Sequence, residues 1–317
     1  MFITLDKISD EPLRDLVSRY LIECKHSQNR RFIDNLILSA IGARICYSDQ
    51  SPIDLIREDP RIYDPVERIK FLKRLRKAKH YSVFAHSPLF MEYLYTTNHP
   101  LPYKSWWYDI NEGNYTRRYV CFNVRHLVES QHDNSPVFTL NDDSDVDLKM
   151  FLLTDDNIEL VSSLSSVLEP NNPYLLVFYI DKKPWEWYSV VIHGVSSCMT
   201  HQLVRHTWLN FSQRSHRYTK VDYGDVVVPP SIKDTVFEIS YQSIVSKCFD
   251  VYEDFIQRGI PKEDARYIIP SGRMYTIMAS GPRFVWEDFI NKRNHYRAQW
   301  EIRWLAERMN KILNLEK

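Results

Sequence analysis

Only seven glycines are spread over 317 residues, and none falls in a G-x-G-x-x-G or phosphate-loop run. Folds that hold a dinucleotide on a Rossmann turn need such glycines, because the backbone must reach the pyrophosphate with no Cβ in the way. That class of site is excluded, so any nucleotide here is gripped by side chains. Hydrophobic residues make up 44% and aromatics 14%, enough to build a globular core. Lys plus Arg number 41 and so do Asp plus Glu, so the basic excess of a non-specific nucleic-acid binder is missing. Cys24, Cys46, Cys121, Cys198 and Cys248 include no CxxC pair, which predicts reduced structural thiols and no metal site. The opening MFITLDKISDEPLRD has no apolar run of signal-peptide length, and no stretch reaches the roughly 20 apolar residues of a membrane helix. A soluble, cytoplasmic protein is expected.

Apolar spacing predicts helix over residues 11–47 and again over Pro65 to Lys79, where a leading proline and first-turn acid suit a helix start. From about Thr96 to Pro184 the texture changes to short aromatic runs and a polar acidic tract, Asn141 to Asp147. We read 1–317 as a single domain carrying an inserted or accessory α+β segment at about 96–184. Tyr174 to Ile180 and Trp185 to Ile192 look like strands. A helix follows over Ile244 to Arg258, striped by Ile244, Val245, Cys248, Val251, Tyr252 and Phe255 and stopped by Gly259. Pro261 opens a short helix that Pro270 ends. One long last helix is expected from about Phe284, burying Val285, Phe289, Tyr296, Trp300, Trp304 and Leu305.

The densest polar cluster is HQLVRHTWLNFSQRSHRY, in which Gln202, Arg205, His206, Gln213, Ser215 and Arg217 supply amide, cationic and hydroxyl donors. A Ser-x-Arg pair on an extended segment can aim a hydroxyl and a planar guanidinium fork at one anion. A solvated basic turn has the same composition. KHYSVFAHSPLF places His80, Ser82 and His86 close together, and RNHYRAQWEIR puts Arg293 and Arg297 four apart. Ordinary hydrogen-bonded histidines and an intrahelical or intersubunit salt bridge are the plainer readings of those two stretches.

In order along the chain, ARICYS, HYSVFAH, GVSSCMTHQLVRHTWLNFSQRSHRY, GIPKEDARYIIP and AQWEIR resemble the successive blocks of the flavin-dependent thymidylate synthase family. The resemblance implies an α+β fold with a mixed sheet flanked by helices, assembled as a homotetramer with shared sites. It implies an FAD-dependent methyltransferase that converts dUMP to dTMP, with methylenetetrahydrofolate as carbon donor and NADPH as reductant. Carried over position by position, Gln202, Arg205, Gln213, Ser215, Arg217 and Arg266 would hold dUMP. Arg293 would lie against the uracil ring, stabilise its ionised form and so act as the catalytic group. His80, Ser82, Arg205, His206, Thr207 and Asp288 would line the FAD.

The chain departs from the family chiefly on the flavin side. Arg-His-Arg becomes Arg205-His206-Thr207, and an acid of the N-terminal block becomes Ala85. Asn-x-Arg near the flavin ring becomes Pro282-x-Phe284, with Arg283 a candidate substitute, and Asp288 replaces an amide. Asn123-x-Arg125 in the inserted segment echoes the lost pair, and a helix start with a surface Arg reads the same residues. Two other functions stay open: altered chemistry on dUMP or dCMP, such as hydroxymethylation, and a nucleic-acid-binding or regulatory module using Lys70 to Lys79 and Arg214 to Lys220.

Overall fold

Tyr174 to Lys182 reads YLLVFYIDK, apolar at both odd and even positions. Successive side chains of a strand point to opposite faces, so such a strand must be covered on both. In the computed structural model, which describes residues 30–95, 105–113, 115–125, 158–161, 173–182 and 184–315, both faces are covered. Tyr174, Leu176, Phe178 and Ile180 join a core with Leu38, Ile41, Leu72, Phe90 and Phe122. Leu175, Val177 and Tyr179 join a second core with Met199, Trp286, Phe289, Ile302 and Leu305.

The strand is β5 (Tyr174–Lys182) of a five-stranded sheet ordered β4-β5-β6-β8-β7. Its neighbours are β4 (Ile158–Val161), β6 (Trp185–Ser196), β7 (Asn210–Gln213) and β8 (Met274–Pro282). A smaller sheet, ordered β1-β3-β2, uses β1 (Pro88–Tyr95), β2 (Trp106–Glu112) and β3 (Tyr115–Asn123). The fold is α+β as expected, but every described pairing is antiparallel, so the mixed sheet becomes an antiparallel one. Chain-adjacent strands β5 and β6 pair with Lys182 opposite Trp185, and neighbours joined so closely in sequence pair antiparallel. That hairpin spans the texture boundary at 184, so β4 and β5 share one sheet with β6 to β8.

On one side of the large sheet lie α1 (Arg30–Tyr47), α2 (Pro52–Glu58), α3 (Pro60–Tyr63) and α4 (Pro65–Lys77). The part of the helix read over 11–47 that precedes Arg30 lies outside the described residues. Proline at the first position of α4 and Asp64 accepting from Val66 and Glu67 N–H explain its sharp start. On the other side lie α5 (Ser197–Leu203), α8 (Arg283–Arg293) and α9 (Trp300–Leu315). Between them run α6 (Val236–Gln257) and the short α7 (Lys262–Ala265), around a satellite core of Val245, Phe249, Tyr252 and Ala265. α6 starts eight residues before the expected Ile244, because Thr235 caps it through its hydroxyl. Its apolar stripe divides: Val245 and Tyr252 are buried, whereas Ile244, Val251 and Phe255 are exposed.

The single last helix is also corrected. α8 ends at Arg293 and α9 begins at Trp300, where the Gln299 side-chain oxygen accepts from the Glu301 and Ile302 N–H groups. Tyr296 lies in the break and is 77% exposed rather than buried, and Arg297 leaves the helix face it was expected to share with Arg293.

Candidate functional site

The catalytic-looking segment begins where β6 bends. The β6–β8 register slips between His193 and Val195, and Gly194 takes a positive φ of 77° there. A bulge with its glycine in the left-handed region kinks the strand and turns the chain into α5. Ser196 caps that helix by accepting from Met199 N–H. The Ser196 hydroxyl and N–H in turn donate to the buried carboxylate of Glu301, the amide at 2.8 Å. The AQWEIR stretch thereby fastens the start of α5, whose C-terminal end carries Gln202 and leads into Arg205.

Past α5, β7 and its continuation alternate. Ser212, Arg214 and His216 are buried, while Gln213 and Ser215 are half-buried and Arg217 is exposed. On the buried row, Ser212 Oγ meets Nε2 of His86 at 2.8 Å, and Nδ1 of the same ring meets Ser280 Oγ at 2.7 Å. Complete burial lowers the His86 pKa to about 3, so the ring is neutral and structural. Gly42 of α1 makes this approach possible: a Cβ there would lie 2.5 Å from His86 Cδ2. Arg214 donates through Nη2 to Gln50 O at 2.7 Å, and burial lowers its pKa. His216 packs on Tyr275 at 4.6 Å between ring centres, with a pKa lowered to about 4 mainly by burial.

The other row is partly open to solvent. Gln213 donates to Thr200 Oγ1 on α5 at 3.3 Å, and Ser215 donates its backbone N–H to Cys46 O at 2.9 Å. The Ser215 hydroxyl makes no hydrogen bond among the described residues. Arg217 donates to Glu263 Oε2 at 2.8 Å, and Arg266 donates to the carbonyl of the same Glu263 at 3.1 Å. Tyr47, at the end of α1, stacks edge-on against both His80 (6.2 Å) and Tyr218 (5.3 Å). His80, Arg217 and Arg266 thus share one surface, linked through Tyr47, Tyr218 and Glu263. Ser82 is exposed in the 3-10 turn Tyr81–His86 that follows His80.

A second corner forms where α8 ends. Arg293 Nε donates to His206 Nε2 at 3.0 Å across 87 residues of sequence, and the His206 ring packs edge-on against Phe289. Burial first, and then the Arg293 charge, bring the His206 pKa to about 4, leaving a neutral acceptor for the guanidinium. Arg205 and Thr207 are exposed beside it, and Arg205 makes no side-chain hydrogen bond or ion pair with a described residue. Asp288 is exposed and paired with Lys292 at 2.7 Å.

Residues 185–316 match the family model described as thymidylate synthase complementing protein. A flavin-dependent thymidylate synthase of Sulfurisphaera tokodaii is 36% identical over 124 residues, which is 38% of this chain and 48% of that protein. One from Pyrococcus furiosus is 36% identical over 123 residues, 37% of this chain and 50% of that protein. A third, from Geobacter sulfurreducens, is 36% identical over 129 residues, 38% of this chain and 54% of that protein. Residues 185–316 are thus similar to the flavin-dependent thymidylate synthases. The matched stretch spans about half the length of these relatives.

Gln202, Arg205, His206, Thr207, Gln213, Ser215, Arg217, Arg266, Asp288 and Arg293 all lie within the family segment, whereas His80 and Ser82 lie outside it. Among the described residues no hydrogen bond joins Arg293 to the 213–217 strand, so the two corners are linked only through α5 and β7. Arg283 cannot substitute for the lost flavin arginine. Its guanidinium is fully engaged with Glu186 at 2.6 Å, Glu287 at 2.9 Å and Leu313 O at 2.8 Å. Asn123 ends β3 opposite Pro88 and is buried, and Arg125 is half-buried in a helical turn. Arg214 and Lys220, two of the cations a nucleic-acid module would use, are committed to Gln50 and Glu253. Two contributors escaped sequence reasoning. Tyr47 lies inside ARICYS, yet nothing local distinguishes a stacking Tyr from a core one. Glu263 reads as a first-turn helix acid, and only the fold brings Arg217 to it.

Proposed function

We propose that the protein is an FAD-dependent thymidylate synthase that methylates dUMP reductively to dTMP, using methylenetetrahydrofolate as carbon donor and NADPH as reductant. The observation that carries this reading is the Arg293–His206 contact, which joins the two motif segments that family resemblance assigns to the pyrimidine and the flavin. The free Ser215 hydroxyl and the exposed Arg205 and Arg217 suit a phosphate, since a guanidinium fork meets two of its oxygens at once. Gln202 and Gln213 lie on the elements either side of them, and Arg266 extends the cationic surface. Arg293, held in place by neutral His206, would draw negative charge into the uracil ring and make C5 nucleophilic. A bound flavin supplies the hydride, so no nucleophilic Cys or Ser is needed. His80, Ser82, Arg205, His206 and Thr207 offer donors suited to an FAD, while Asp288 is engaged by Lys292.

This reading takes 1–317 as one domain with an accessory segment at about 96–184, since strands from that segment complete the sheet that carries the site. It includes a homotetramer with shared sites. The support is the start of α6, where Val236 and Ile239 are 81% and 80% exposed, an apolar face that a second copy would cover. No described helix is long and apolar enough to cross a membrane, and we place the protein in the cytoplasm. Purified protein supplied with FAD, dUMP, methylenetetrahydrofolate and NADPH should yield a nucleotide heavier by one methylene unit, read by mass spectrometry. A product carrying an additional oxygen would replace methylation by hydroxymethylation. Failure to bind either dUMP or FAD would remove the reading altogether.

A further inference from the structure

Beside the His206 corner the structure holds a cleft of about 480 Å³ lined by Ser105, Trp106, Trp107, Tyr108, Pro184, Trp185, Trp208 and Phe284. Six of these eight residues are aromatic. Its floor is Trp106, which packs against Trp187 (6.2 Å), Trp208 (6.3 Å) and Phe284 (5.9 Å). Its walls are held rigidly. Arg118 lies over the Trp107 ring at 5.9 Å and is itself forked onto Asp109 at 2.7 and 2.8 Å. Arg283 ties the start of α8 to Glu186, fixing Phe284 relative to Trp185. Yet the rings facing the cleft are left wet: Trp107 and Tyr108 are each 53% exposed, Trp208 58% and Phe284 44%. The buried indole N–H of Trp185 has no hydrogen-bond partner. A mostly apolar, aromatic-walled cleft of this size suits a planar heteroaromatic ring.

The location narrows the ligand. Trp208 follows Thr207 directly, and Phe284 stands where the family has the arginine of Asn-x-Arg, so both walls coincide with positions where charged flavin contacts are lost. Trp106, Trp107 and Tyr108 come from the expected inserted segment. We propose that this cleft stacks the isoalloxazine ring of the flavin, replacing lost ionic contacts by ring contact. The proposal rests on the flavin reading above. The inserted strands thereby contribute to the cofactor site.

The test is titration of the purified full-length protein with FAD, FMN and ADP, following flavin fluorescence and competition. Wild type should bind FAD and FMN and quench their emission. The double variant Trp208→Ala/Phe284→Ala should weaken both by about tenfold or more, the usual scale for losing an aromatic stack, and release part of the quenching. Trp208→Phe should restore most of the affinity, and Tyr63→Ala, an exposed aromatic on α3, should change nothing. Far-UV dichroism of the double variant checks that it folds. If it binds FAD and FMN within twofold of wild type, this inference fails while the flavin reading stands. If ADP competes as well as FAD while FMN does not bind, the cleft holds an adenine and the isoalloxazine assignment is overturned. A wild type that binds no flavin removes both.

Discussion

Residues 212–217 form two rows that differ in every physical respect although they alternate along one short segment. Ser212, Arg214 and His216 are 4%, 8% and 2% exposed, with histidine and arginine pKa values lowered by burial. Gln213, Ser215 and Arg217 keep polar groups toward solvent, and the Arg217 side chain is 55% exposed. A buried guanidinium is costly unless hydrogen-bonded, so Arg214 acts as a tie to Gln50 and α1. Arg217 keeps its charge at the surface, against one carboxylate that a phosphate can displace. The comparison teaches that side-chain chemistry does not distinguish an exposed arginine from a structural one; the parity of the position does.

The largest expected effect lies behind the buried row. His86→Ala removes the ring that ties the Ser212 and Ser280 hydroxyls together and opens a cavity, which should cost about 3 kcal/mol or more in a urea melt. A loss below about 1 kcal/mol would mean that this tie does not hold β7 to β8. Next, the rows should separate under matched substitutions. Arg217→Ala should raise the Kd for dUMP about tenfold or more with an unchanged melting temperature. Arg214→Met should lower stability by about 2 kcal/mol and disturb dUMP binding only through that loss. The reverse pattern, in calorimetry and thermal melts, would break the comparison.

Acid should probe the buried histidines together. His86 has its pKa lowered to about 3, and His193, His206 and His216 to about 4, against an ordinary 6.5. Below 6.5 the unfolded chain takes up protons that the folded chain refuses, so stability falls as pH drops from 6.5 toward the folded values and then levels off. His86→Gln should flatten that slope in melts across pH 7 to 4, and an unchanged slope would remove His86 from the account. The smallest effect belongs to the exposed row. Glu263→Gln releases Arg217 without touching the core, so the melting temperature should stay put while dUMP affinity rises slightly. A fall in affinity would instead give Glu263 an organising role.

Much of this was legible in the chain. The start of α4 followed from Pro65 and the acid in its first turn, and β5 from the strand-like run Tyr174 to Ile180, because helix-start signals and period are local. The order of the motif blocks placed every nucleotide-side candidate in the segment that later matched the family. The break between α8 and α9 was not legible: apolar spacing carries on through 294–299, and Gln299 is not a residue usually associated with caps. The antiparallel sheet was missed because strand direction depends on which strands pair, not on the composition of each.

By itself the amino-acid sequence determined that no glycine loop holds a nucleotide, that both faces of β5 must be covered, and which donors are offered in which order. These are properties of neighbours, set by sterics, hydrogen-bonding groups and period. The tertiary structure alone decided that Arg293 meets His206 across 87 residues, that Arg283 is spent on Glu186, and that Trp106 reaches Trp208 and Phe284. Contacts between distant residues follow from how the layers pack around the sheet, and no local pattern encodes that packing.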